Sequence, residues 1–101
     1  MFRKRQHQRV QLKMPVQVRG AGVSCEAKCV EIGAGGMALT QAEQLGISLP
    51  VQLSFELGTP PPISVSAVVW WKRDKLTGVR FDPGDRNRKL VEQFVSGELA
   101  R

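Results

Sequence analysis

Two arginines four residues apart, Arg5 and Arg9, stand near the head of the chain. They lie within a run that also carries Arg3 and Lys4 and has no acid. Guanidinium groups offer planar, bidentate, charge-assisted hydrogen bonds, so the chemistry they suit is capture of an anion, phosphate above all. These four cations account for two-thirds of a formal net charge of +6. A short basic arm of this kind seeks nucleic acid, phosphate or an acidic surface, or else simply solvates a terminus. His7 sits between the arginines as a spacer that gains charge in mild acid, at an ordinary pKa of about 6.5. Further along, Glu31-Ile32-Gly33-Ala34-Gly35-Gly36 places a carboxylate ahead of a glycine-rich turn. Such glycines permit positive φ or close approach of the backbone to a ligand. Trp70 and Trp71 are adjacent, and consecutive strand residues face opposite sides. One is therefore expected in the core and the other partly exposed, where it can stack on a base. Arg86, Arg88 and Lys89 form another cationic group, either a second anion-contact surface or a solvated face.

Other chemistries find little material. One His, no Tyr and no motif pairing a nucleophile with a base argue against an enzyme. The Gly33-Ala34-Gly35-Gly36 stretch is not a phosphate loop, because no Lys-Ser or Lys-Thr follows it. Cys25 and Cys29 are four residues apart, which puts them on one face of a strand, roughly 13 Å apart at about 3.3 Å per residue. That is too far for a disulfide, and His7 is the only other soft ligand, so no metal or cofactor is expected. With 101 residues, 42% apolar and 24% charged, the chain reads as one globular domain. Its wholly apolar runs stop at four or five residues, too short for a membrane helix. The basic N-terminus lacks an apolar signal core, so a cytoplasmic location is expected.

The elements that must position these residues follow from periodicity. Residues 1–10 form the arm. From residue 11, Leu12, Met14, Val16 and Val18 alternate with polar residues, a half-buried strand with Pro15 on its polar face. Because Pro15 cannot donate a ladder bond, this strand is expected to be an edge or bulged. Further strands are predicted over 24–32, 37–39, 51–57, 63–71 and 77–81, with a polar connection over 41–49 and a charged hairpin at 72–75. The period then changes. Leu90, Val91, Phe94 and Val95 recur at helical spacing, so a helix is predicted over 85–97, with Asp85 as N-cap and Gly97 at its end. Six short strands followed by one helix suggest a mainly β fold: a six-stranded antiparallel β-barrel over 11–82 with a C-terminal α-helix.

The order of these features resembles the PilZ domain family, bacterial receptors for cyclic di-GMP. The resemblance rests on R-x-x-x-R before the first strand (Arg5 to Arg9) and on Glu31 to Gly36 standing where the family carries [DN]-x-S-x-x-G. It also rests on the tail, in which Trp71-Lys72-Arg73-Asp74 leads to Gly78-Val79-Arg80-Phe81 and the helix. It spans residues 4–97. It implies that Arg5 and Arg9 contact phosphate or stack on guanine and that Gly36 serves the turn; Lys4, just ahead of the first motif arginine, is placed either to touch a phosphate or to stay solvated. It also implies that Glu31 presents oxygen to the guanine donor edge and that Trp71 flanks the ligand. Two positions depart from the pattern. Glu31 is longer than the family's Asp or Asn by one methylene, about 1.5 Å of reach. Gly33 replaces the family's Ser and loses a hydrogen bond of about 0.5–1.5 kcal/mol.

The function this implies is a cyclic di-GMP receptor whose basic arm changes on binding and which signals to an effector protein in motility, biofilm or exopolysaccharide control. The altered loop points to an alternative, a protein-interaction module without nucleotide, for example in type IV pilus assembly. A nucleic-acid-binding barrel is disfavoured, because the positive charge is concentrated in one arm and not spread along a groove.

Overall fold

The structure, a computed structural model, describes residues 8–20 and 22–100. Lys4, Arg5 and His7 therefore lie outside the described residues. Six strands and one helix follow in order: β1 (Arg9–Gly20), β2 (Val23–Gly33), β3 (Gly36–Thr40), β4 (Pro50–Phe55), β5 (Ile63–Arg73), β6 (Leu76–Phe81) and α1 (Arg88–Leu99). All neighbouring strands are antiparallel, and the sheet closes in the order β1-β2-β3-β6-β5-β4. Closure removes the exposed edges that a small open sheet would present.

Alternation builds the core. Val16 and Val18 of β1, Leu53 of β4, Val65 and Val69 of β5 and Phe81 of β6 all point inward and are fully or almost fully buried. Pro15 does sit beside a bulge, between Gln11 and Met14. It also lies where β1 has no partner on its other side, since β1 pairs with β4 only over residues 17–19. The 41–49 connection is less polar than its composition suggests. It buries Ala42 and Leu45 completely and is hooked to β5 by Ser48 N–H to Val69 O (2.7 Å) and Val69 N–H to Leu49 O (2.9 Å). The fourth strand ends at Phe55, two residues early, and β5 runs on to Arg73, leaving Asp74-Lys75 as the hairpin tip.

The helix differs from its prediction at both ends. It begins at Arg88, and Asn87 stands at the N-cap without a side-chain cap bond. Asp85 is used elsewhere: Oδ2 accepts the Ser66 N–H of β5 (2.7 Å) and Oδ1 the Asn87 N–H (2.9 Å). Past Phe81, Asp82 N–H still donates to Ser66 O (2.8 Å), but the Asp82 carbonyl accepts Asp85 N–H (3.0 Å), and the Asp85 carboxylate receives the Ser66 N–H instead. Gly97 does not end the helix, which continues to Leu99. No left-handed conformation is adopted there, and Gly97 faces open space. The buried stripe is also narrower than the periodicity implied, because Val91 and Val95 are buried whereas Leu90 is exposed. No helix of the described residues is long and apolar enough to cross a membrane.

Candidate functional site

The site residues are assembled by strand register. Arg9 opens β1 opposite Gly33, which closes β2. After a two-residue turn, Gly36 opens β3 opposite Arg80 of β6, and Arg80 in turn faces Val68 of β5. One row across the sheet therefore links Arg9, both ends of the glycine-rich turn and Arg80. Gly36 has to be glycine at this point, because a β-carbon there would overlap the Val79 carbonyl of the paired strand. Gly33 is less constrained. A β-carbon would lie 3.0 Å from the Gln8 carbonyl oxygen and 3.2 Å from Arg9 Cγ, a tight fit.

The tryptophans correct the simple alternation argument. A bulge between Val69 and Trp71 lets Val69 pair with Val79 and Trp71 with Gly78. The extra residue shifts the parity of β5, so Trp71 joins Trp70 on the outer face and neither is in the core. Trp71 lies across Gly78, where a β-carbon would overlap its indole. Trp70 is 56% exposed, and the Arg80 guanidinium carbon sits 4.7 Å from its ring centroid, a cation–π contact.

These groups surround a cleft of about 240 Å³. Arg9, Arg80 and Arg88 supply its charge, Trp70 and Trp71 its flat apolar walls, and Gly33, Gly35 and Gly36 its floor. Of the residues expected from sequence, Arg9, Gly33, Gly36 and Trp71 come together here. Lys4 and Arg5 lie outside the described residues. Glu31 does not line the cleft. Its Oε1 accepts a hydrogen bond from Arg9 Nη1 at 2.7 Å, with both side chains about one-third exposed. It borders a separate hollow with Gln11, Leu12, Lys13 and Val30.

Arg80 and Arg88 were not singled out for this cleft by sequence, and Trp70 was weighed against Trp71 as the aromatic beside the site, where both line the cleft. Arg88 was noted as one of three cations and reaches the cleft because the helix starts at that residue. Its ion pair with Glu92 is long, at 3.9 Å. The cysteines take no part. Both thiols are free and Cys29 is buried. Burial pushes the Cys29 thiol up to about 11, and it donates to the Glu31 carbonyl at 3.4 Å. It is therefore no nucleophile at neutral pH. The arrangement suits an anion that also carries flat rings.

A family model described as PilZ domain matches residues 3–97 of the chain. No curated protein matches the sequence. Among solved structures, the chain is similar to the Bacillus subtilis inhibitor of motility MotI/DgrA, with a TM-score of 0.75 and 18% identity. That match covers 98% of this chain and 53% of the other, so the chain spans about half its length. It is also similar to the PilZ domain of CeSA from a cellulose-synthesizing bacterium, with a TM-score of 0.74 and 16% identity, covering 91% of this chain and 98% of that one. At these identities the two structures speak for the fold.

Proposed function

This chain belongs to the PilZ domain family, and from that premise we propose that it binds cyclic di-GMP and passes the signal to an effector protein. The observation that carries the reading is the convergence of Arg9, Arg80 and Arg88 with two indole faces around the 33–36 turn. Cyclic di-GMP has two phosphates for the guanidinium groups and two purines for the rings. Arg5, Lys4 and the rest of the arm add cations that close over the ligand. The arm changes on binding, and the effector protein reads that change. Motility, biofilm and exopolysaccharide control are the outputs that fit such an adaptor. No reaction is carried out on the nucleotide.

Calorimetric titration with cyclic di-GMP tests this, with GTP and linear pGpG as controls and an Arg5→Ala, Arg9→Ala variant alongside. Selective binding lost in the variant is expected. No heat and no thermal shift at about 1 mM ligand, which would put the dissociation constant above about 1 mM and the binding free energy weaker than about −4 kcal/mol, would refute it. A second reading draws on the Arg9–Glu31 pair. Because the carboxylate is held outside the cleft, a PilZ barrel kept for protein contacts alone, as in type IV pilus assembly, is what a negative titration would leave.

A further inference from the structure

We propose that Arg80 is a guanine-reading residue of the cleft, its guanidinium fork meeting the O6 and N7 edge of one base while the other cations meet phosphate. The proposal rests on the nucleotide reading above and reassigns one of its three arginines from phosphate to base.

The three guanidinium groups of the cleft are held in different ways. Arg9 gives Nη1 to the Glu31 carboxylate at 2.7 Å, and Arg88 has Glu92 at 3.9 Å. Arg80 has no carboxylate partner among the described residues. What holds it is the face of Trp70, whose ring centroid lies 4.7 Å from the guanidinium carbon. An aromatic ring takes the face of a guanidinium and leaves the N–H donors, which lie in the plane of the group, without partners. The fork of Arg80 is thereby oriented but unpaired.

Register places that fork beside the glycine-rich turn. Gly36 stands opposite Arg80 on β3 and carries no side chain to screen it. Val68, its neighbour on β5, offers no side-chain hydrogen-bonding group. A purine laid along the same indole wall meets the fork edge-on. That is the geometry of a bidentate contact to guanine, whose O6 and N7 are both acceptors. Adenine keeps N7 but has an amino donor in place of O6, so one arm of the fork faces another donor. A phosphate makes no comparable demand, since a lysine serves it as a point charge.

Calorimetric titration of the full chain with cyclic di-GMP and with cyclic di-AMP tests this, at one salt concentration, for the wild type, Arg80→Lys and Arg80→Ala. Arg80 is exposed on the outer face, so neither variant removes core packing. Lysine keeps the charge and loses the fork. The wild type is expected to prefer cyclic di-GMP. Both variants are expected to weaken cyclic di-GMP by about 5- to 150-fold, the discrimination of one bidentate base contact. Cyclic di-AMP is expected to lose less, so that the guanine preference falls in both. Wild-type affinity for cyclic di-GMP in Arg80→Lys marks a contact that needs only charge, and overturns the proposal. So does a guanine preference that persists unchanged in both variants, which puts the reader elsewhere, or a wild type with no such preference. Where cyclic di-AMP binds too weakly to measure, the cyclic di-GMP affinity of Arg80→Lys decides alone. In each of these failures the nucleotide reading stands; if the wild type binds neither nucleotide, both fall.

Discussion

Gly78→Ala should displace Trp71 from the outer face of the barrel. Gly78 is held in register with Ala38 of β3 on one side and Trp71 of β5 on the other. Its backbone has little room to retreat, and the three nearest atoms to an added β-carbon all belong to the indole. The ring must swing away. An indole buries roughly 150–250 Å² in full contact, so a half-buried one sheds about 80–100 Å². At about 25 cal/mol per Å² this costs roughly 2 kcal/mol, within the usual range of about 1–3 kcal/mol for overpacking. In a domain of this size that is a fall of about 8–16 °C in Tm. Trp71→Ala removes the same contact and should cost a similar amount. The double variant is the decisive measurement. With the indole gone, the methyl at position 78 meets none of its three nearest obstacles, so the second substitution should add under about 0.5 kcal/mol. Urea unfolding of the four proteins, followed by tryptophan fluorescence, gives the cycle. If Gly78→Ala costs as much in the Trp71→Ala background as in the wild type, the clash lies elsewhere and the argument from ring contact is wrong. The ligand arm of the same cycle should follow it, since a displaced indole gives up a stacking contact of about 1–3 kcal/mol.

Other expected outcomes test separate parts of the structure. Gly36→Ala sets a β-carbon against the Val79 carbonyl of a paired strand. It should abolish the cooperative thermal transition, at a cost above about 3 kcal/mol, and a wild-type melting curve would contradict this. Asp85→Ala leaves the Ser66 N–H without its partner and should cost about 1–3 kcal/mol at pH 7, read from urea midpoints. The Ser66 and Asn87 N–H bonds hold the Asp85 carboxyl below the usual carboxylate range. Its pKa is therefore lower folded than unfolded, and its contribution is present above the unfolded value of about 3.9 and lost as pH falls through the folded one. Wild-type stability should accordingly drop more steeply than that of Asp85→Asn below about pH 5, and parallel profiles would count against the role. Cys29, buried and with its thiol pushed up to about 11, should resist a thiol reagent at pH 7.5 until the protein is unfolded. Prompt labelling of both cysteines in the native state would show that β2 opens readily.

The strands and the barrel were legible because half-buried antiparallel strands write their burial as alternation, and Val16, Val18, Val65 and Val69 kept it. The glycine-rich turn was legible because it belongs to a short contiguous pattern. What alternation could not express was the bulge. One extra residue before Trp71 reversed its face, and the only trace in the sequence is a glycine, Gly78, in the strand that follows. Asp85 misled for a related reason. An Asp after Pro-Gly reads as a helix cap, but the helix starts three residues later, and while one carboxylate oxygen takes the nearby Asn87 N–H the other goes to Ser66 on β5, nineteen residues back along the chain. Glu31 was expected at the ligand because its type and place fit. Its longer side chain instead found Arg9, whose position depends on β1–β2 register and not on sequence distance.

The short seam between β1 and β4 has a mechanical consequence. The two strands pair only over residues 17–19, so the half of β1 that carries Arg9 has a strand partner along a single side, β2, while α1 also packs on β1. Amides in the Arg9 half of β1 that point toward β4 should exchange with solvent far sooner than those at the clasp.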